Sequence, residues 1–418
     1  MIMIRKFNRD KCFLIMLGCW LILIWVCTFV GDANGSSMYI FSALLGGAIC
    51  VAFTIGWNRA IIWNYDIKLF YPEDSPAINI DEDDYKPGLR ISLLLVLLLS
   101  IACYVGIIAA GWENWIDFFD SRIIPKYFLN VLMLVVFPSW TTYIIRQVRD
   151  SYDFEAVLSG YVQIVALSFL GYLLFMNGPY IWLIYLATLN VLSVLLAIKK
   201  YLWKSTNNKK AIVTSLLLYI FIWMIFLSIS WDKTWTFTYV TGFDSYLQFT
   251  RYKSAIRKIL CNASIWGQSS TLLKDPYVLQ FLCYSHWILP SVLTYSGWVS
   301  GITVIAVEGL LLISAAEIVK NSKLPDGRDV ILDIVWIGLF IRVVGGFLLS
   351  FGIPVPVNLP FASAGSVMAD SIYIGILVMA FLENKYKEYF KRKKEKNRID
   401  EMEFRENFFG DNDNEHRE

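Results

Sequence analysis

GIPVPVNLPFASAGSV, Gly352–Val367, separates the apolar run Val330–Ser350 from the next, which starts at Ala364. Three prolines, Pro354, Pro356 and Pro360, fall inside it. Each removes a backbone donor and biases the preceding residue away from the helical region, so no helix runs through. The two apolar runs are therefore separate helices joined by an irregular bend. That bend is either a plain connector, with Ser363 capping the second helix, or backbone kept irregular for a job.

The rest of the chain explains what those apolar runs are. Of its 418 residues, 57% are hydrophobic and 17% are charged. Soluble globular domains carry about 25% charged residues. A soluble two-domain enzyme is excluded, and a formal net charge of +2 gives no general pull toward nucleic acid. Cys12, Cys19, Cys27, Cys50 and Cys103 lie in apolar runs and read as small packing residues. Cys261 and Cys283 lie in a polar stretch and could pair across an oxidising space. The two histidines, His286 and His416, cannot build a His-rich metal site, and no CxxC occurs.

A membrane-crossing helix needs about 20 predominantly apolar residues. Ten runs qualify: Cys12–Val30, Met38–Trp57, Ile91–Trp112, Tyr127–Ile145, Ala156–Met176, Pro179–Ile198, Ala211–Trp231, Trp287–Ala316, Val330–Ser350 and Ala364–Leu382. The first has a basic lead but no small-residue cleavage site after it, so it reads as an anchor. Pro138 predicts a kink in the fourth. The expectation is an all-α polytopic membrane protein with about ten transmembrane helices. The hydropathy shows no internal repeat, which argues against inverted-repeat transporters.

Basic residues orient the spans. They gather in the leader (Arg5, Lys6, Arg9, Lys11) and in the connectors after spans two, four, six and eight. Examples are Arg146, Lys199, Lys200 and Lys320. The tail carries KRKKEKNR, Lys391–Arg398, whereas GDANGSS and the bend carry none. Both termini are thus expected to be cytoplasmic, with the bend outside. Residues 1–383 form the transmembrane domain, and 384–418 a charged cytoplasmic tail, disordered at its end.

Residues 232–286 break the charge rule, as long translocated loops do. They form a large extracytoplasmic loop between helices seven and eight. Inside it, Ala255, Ile256, Ile259 and Leu260 share a helical face while Arg251, Arg257 and Lys258 lie elsewhere. This predicts an amphipathic helix at the outer interface. It is either a solvated loop helix or a basic platform for an anionic lipid headgroup.

Glu308, Asp333, Arg342 and Asp370 interrupt the last three spans. Charges at that depth need a partner or a watery cavity. Arg342 with Asp370 or Asp333 would make an interhelical pair, or the group would line a hydrophilic cleft. Asp333 and Glu308 are placed nearer the cytoplasmic ends.

The bend resembles the mark GIPLPFISYGGSS of the shape, elongation, division and sporulation (SEDS) family, the FtsW/RodA/SpoVE-like proteins of cell shape and cell division. The match falls on Gly352, Ile353, Pro354, Leu359, Pro360, Phe361, Ser363, Gly365 and Ser366, with a short insertion and Ala364 in place of the Tyr. In the outer loop, Tyr246, Gln248, Ser254, Ala255, Ile256 and Gly267 follow the family pattern. So do Gly297 and Gly301 in the eighth span, where Thr294 and Tyr295 stand in for two Glu. His286 falls where the family has its Asp. The patterns QPSE and QPDLGT of the family's first half are missing.

The resemblance implies a peptidoglycan glycosyltransferase fold in the bacterial plasma (inner) membrane, acting on lipid II at the outer face beside a transpeptidase, a penicillin-binding protein. It implies His286 as the proton acceptor in place of the family carboxylate, or a homologue whose chemistry is lost. The substrate-binding set it suggests is Gln248, Arg251, Lys253, Ser254, Arg342, Pro360, Ser363, Gly365, Ser366 and Asp370, with a divalent cation bridging the substrate pyrophosphate. Other readings remain open. An O-antigen ligase or polymerase would rely on Arg251 and Arg257. A transporter or flippase would use Arg342 and Asp370.

Overall fold

The computed structural model describes residues 9–32, 105, 116–118, 121–123, 133–134, 137–138, 140–145, 154–175, 180–203, 209–231, 246–282, 288–322, 328–353, 359–361 and 364–409. Nine helices of seven residues or more are described: α1 Arg9–Asp32, α2 Phe154–Phe175, α3 Tyr180–Ala197, α4 Lys209–Trp231, α5 Tyr246–Asn262, α6 Pro276–Leu282, α7 Ile288–Asn321, α8 Arg328–Ser350 and α9 Ala364–Phe409. A short antiparallel pair, β1 Ile116–Phe118 with β2 Ser121–Ile123, is the one strand pairing among the described residues, and β2 lies against α9. The second expected span, and the third apart from Val105, lie outside the described residues.

Four described helices are long and apolar enough to cross a membrane: Leu183–Leu202, Ile212–Ile229, Ile288–Asn321 and Asp329–Ser350. Their outward faces carry apolar side chains where a water-soluble helix would carry polar ones. On α4, Leu217, Leu218, Phe221, Met224 and Ile229 are exposed while Tyr219 and Trp223 are buried. Lipid, not water, suits such a surface. The chain is a helical, multi-span membrane protein.

Between helices, polar groups supply part of the grip that a hydrophobic effect cannot supply in lipid. Tyr219 of α4 hydrogen-bonds Ser168 of α2 at 2.6 Å and donates to Asn190 of α3, and Trp223 Nε1 donates to the Tyr219 hydroxyl at 3.2 Å. Three helices are joined through one phenol.

Ends that the charge rule assigns to one side do meet. Lys385 of α9 pairs with Asp10 of α1 at 2.6 Å, beside the stacked rings of Phe13 and Phe381. Asn384 donates to Ser322 at 2.8 Å. Lys200 pairs with Asp333 at 2.7 Å and Asp329 at 2.9 Å, so Asp333 sits at a helix end as expected. Glu308 does not. It is 1% exposed and lies among α1, α8 and α9.

Two helices depart from expectation. α9 continues as helix to Phe409, well past the apolar run that ends at Leu382, so most of the charged tail is helical. α7 is broken at Gly297, whose φ of +83° and ψ of −179° no helix contains.

Candidate functional site

The site begins with α5. Tyr252, Ala255, Ile256 and Ile259 are buried, and Arg251, Lys253, Ser254 and Arg257 are exposed, as the periodicity predicts. The buried face lies on the C-terminal end of α8. Tyr252 donates its hydroxyl to the Leu349 carbonyl, and Ala255, Ile256 and Leu349 pack around it. Burial pushes the Tyr252 phenol well up, so it remains a donor there.

α8 ends at Ser350 and the chain turns through Gly352, whose φ is +87°. A Cβ on Gly352 would touch Lys253 Cγ at 3.8 Å and Ile256 Cγ2 at 3.9 Å. The stem of Lys253 thus lies over the start of the Pro-rich bend, and its basic face adjoins the polar turn. The bend then folds back on α8. Leu359, Pro360 and Phe361 are all buried, and Phe361 is the one described non-glycine residue with a positive φ, +61°.

A charged clamp holds that conformation. Phe361 donates its backbone N–H to Asp370 Oδ2 at 2.9 Å. The same carboxylate takes both terminal nitrogens of Arg342, with Nη2 donating to Oδ2 at 3.2 Å. Both side chains are 0% exposed. The Arg342 guanidinium lies over the Tyr373 ring, 5.8 Å from its centre. A buried ion pair survives in such surroundings only when further hydrogen bonds complete it, and the Phe361 amide does so here.

On the other side of α5, the loop after Asn262 closes the break in α7. Ser264 and Ile265 carbonyls accept from the N–H groups of Trp298 (2.9 Å) and Val299 (3.2 Å). In return, Gly267 and Ser269 donate to the Ser296 (3.2 Å) and Thr294 (3.0 Å) carbonyls. Backbone groups freed by the kink are thereby satisfied within the chain. Lower in the loop, Asp275 opens α6: its Oδ1 accepts from Tyr277 N–H at 2.9 Å, and Lys258 pairs with Oδ2 at 2.7 Å. The Lys258 ammonium holds the Asp275 carboxyl below its ordinary range.

Among the sequence-predicted residues, Lys253, Pro360, Arg342 and Asp370 converge on the bend. Arg251 and Ser254 are exposed on α5. The side chain of Gln248 lies outside the described ones, although its backbone is in the first turn of α5. Gly365 and Ser366 occupy the first turn of α9, with side-chain surroundings not among those described. His286, Ser363 and Cys283 lie outside the described residues. Cys261 is an exposed free thiol. Among the described residues, no three His, Cys, Asp or Glu gather in a way that could hold a metal ion.

One residue of the site is new. A Cβ at Gly346 would stand 2.5 Å from Leu359 N and 2.7 Å from its Cα, so only glycine lets the bend lie on α8. The GG pair in VVGGF was its only signal in the sequence.

No family model and no curated protein matches the chain. Among solved structures, it is similar to a chain of a peptidoglycan synthase complex studied for the coordination of polymerization and crosslinking. The TM-score is 0.47 at 12% identity, covering 88% of this chain and 96% of that one. It is also similar to the rod shape determining protein RodA of Thermus thermophilus, with a TM-score of 0.42 at 12% identity over 88% of this chain and 95% of that one.

Proposed function

We propose that this chain is a SEDS-like cell-envelope protein for peptidoglycan synthesis, handling a lipid-linked glycan such as lipid II at the outer face of the bacterial plasma membrane. The observation that carries the reading is the contact of Lys253 with Gly352, which sets the basic face of α5 beside the motif-bearing bend. A polyprenyl pyrophosphate needs a lipid-facing home for its tail and cationic or N–H donors for its phosphates. Arg251, Lys253 and Ser254 with Gln248 supply the first part of such a site. Backbone N–H groups around Ser363, Gly365 and Ser366 at the start of α9 supply the second. Pro360 shapes the turn, and Arg342 and Asp370 hold it from beneath. The part of the site that the structure describes is cationic and its carboxylate, Asp370, is committed to Arg342, so the described residues do not fit a divalent cation bridging the pyrophosphate.

In this reading His286 accepts the proton from the attacking sugar hydroxyl. A transpeptidase of the penicillin-binding class would crosslink the product. As a transporter or flippase path, Arg342 and Asp370 are poorly suited, because they are closed on one another and fully buried.

Polymerisation of labelled lipid II by the purified chain, beside His286→Ala and His286→Asp, tests this. Polymer from wild type that His286→Ala abolishes supports an active glycosyltransferase with an imidazole base. Polymer only from His286→Asp supports an intact pocket without chemistry. No polymer from any form, with or without a transpeptidase, overturns the enzyme reading.

A further inference from the structure

We propose that the turn at residues 264–267 is a membrane-contact tip, whose Ile265 and Trp266 side chains enter the boundary between lipid headgroups and acyl chains. Ile265 is 69% exposed and Trp266 73%, the largest exposure of any described tryptophan. The residues around them, Asn262, Gln268 and Ser270, are exposed and polar. An apolar pair at the tip of a polar turn suits a surface that is apolar on one side and wet on the other.

The height of the tip is set by α7. Ser264, Ile265, Gly267 and Ser269 exchange backbone hydrogen bonds with Thr294, Ser296, Trp298 and Val299 across the Gly297 break, and the Ser264 hydroxyl donates to the Gly267 carbonyl. The turn therefore cannot slide along the helix. At its other end α7 carries Glu317, Lys320 and Asn321, and Ser322 just beyond it is bonded to Asn384 of α9 beside the Lys385–Asp10 pair. That charged layer marks one face of the bilayer. From Glu317 back to Gly297 is about 20 residues, or about 30 Å of helix. The hydrocarbon core is also about 30 Å thick. The stretch between carries one charged residue, the buried Glu308. The break, and the tip bonded to it, thus stand at the opposite face.

The other exposed tryptophans agree with these two levels. Trp203 ends the helical run in which Lys200 pairs with Asp329 and Asp333, at the charged end. Trp25 of α1 lines a cleft with Ser296 and Ser300 of α7, beside the break. Tryptophan gathers at both boundaries of a bilayer, where its ring is in apolar surroundings and its N–H in wet ones. Continuity decides that lipid, rather than a protein, receives the tip. Ile265 is bonded to Val299, and Ile302, one turn further along the same face of α7, is exposed in the membrane-crossing part of that helix. The apolar surface of the tip thus runs on into the lipid-facing surface of α7. None of the groups assigned to glycan handling enters this argument, so either reading can fail without the other.

Fluorine NMR of the full chain, labelled with fluorotryptophan and held in lipid nanodiscs, tests it. The Trp266 resonance is the one lost in Trp266→Phe, or in Trp266→Tyr should the first variant not fold. The resonance lost in Trp25→Phe gives a reference on a membrane helix. Two broadening agents are compared: a phospholipid spin-labelled near its headgroup, and a gadolinium chelate confined to water. The expected result is that the spin-labelled lipid broadens Trp266 severalfold more than the chelate does, as it does Trp25. Broadening of Trp266 chiefly by the chelate makes the tip a water-facing turn and overturns the proposal. Protection from both agents means that protein covers the tip, and overturns it equally.

Discussion

The amide of Phe361 donates to Asp370 Oδ2 at 2.9 Å, while the same carboxylate is forked onto Arg342. A left-handed backbone residue outside glycine costs about 1–3 kcal/mol and persists only where its surroundings hold it. Here the holding group is an ion pair between α8 and α9. Arg342→Ala leaves a buried, unpaired Asp370 and is expected to cost about 3–5 kcal/mol, read as a large drop in the thermal midpoint in detergent. The double change Arg342→Met with Asp370→Leu should recover much of that stability, yet leave Phe361 N–H without its acceptor and the bend loose. An Arg342→Ala protein as stable as wild type would refute the clamp.

Gly346 makes a sharper tool, because it touches the bend without carrying charge. A Cβ there meets Leu359 backbone at 2.5 Å, and backbone cannot swing aside as a side chain does. Overpacking of this kind costs about 1–3 kcal/mol. Gly346→Ala should fold, shift the bend and lose glycan polymerisation out of proportion to its lowered midpoint. Gly365→Leu on the far side of the bend should do the same. Full activity in both would remove the bend from the proposed site.

Some of this was legible in the residues alone. Opposite charges in neighbouring apolar runs announced that Arg342 would pair with Asp370 or Asp333, and the structure gives it Asp370, with Asp333 taken by Lys200. The period of Ala255, Ile256, Ile259 and Leu260 announced which face of α5 is turned inward, although Leu260 is only half-buried and Tyr252, which that reading did not include, is fully buried. Other parts were not legible. The helix α9 outruns its apolar stretch because Lys, Glu and Arg are good helix formers whatever the solvent, so hydropathy marks the span and not the helix. The depth of Glu308 depends on how α7 breaks at Gly297 and packs against α1, which linear position does not encode. Gly346 matters only because the bend folds back, a contact made by residues 13 positions away.

The segment between α4 and α7 carries a modest acid dependence. Asp275 is held below its ordinary range by Lys258, 2.7 Å away. Its folded-state value is the lower one, so its contribution is complete above the unfolded value and is lost as pH falls through the folded one. That places the loss below about pH 4. Lys258 is 45% exposed on its side chain, so the pair is a surface pair worth roughly 0.2–1 kcal/mol. The difference in midpoint between wild type and Lys258→Gln should therefore shrink as the solution is acidified below pH 4, and shrink with salt at neutral pH. A difference that grows on acidification would refute the pairing.

Gly297 is the position where the loop after α5 and the long apolar helix α7 depend on one another. Its φ of +83° disfavours any L side chain, and a Cβ would stand 2.7 Å from Ser264 O and 2.8 Å from Ile265 O, both backbone acceptors. Those two carbonyls serve the N–H groups of Trp298 and Val299, so a Cβ that pushes them away also strips α7 of partners at its break. Gly297→Ala is expected to lose about 2–4 kcal/mol from strain and broken hydrogen bonds together. Its damage should be local: faster amide exchange at Trp298, Val299, Gly267 and Ser269, with the Tyr219–Ser168 junction on α2 and α4 unchanged. Loss of protection across all helices alike would show that the loop does not stand apart as a unit. Unchanged exchange at the four amides would show that the ladder is not what holds the break.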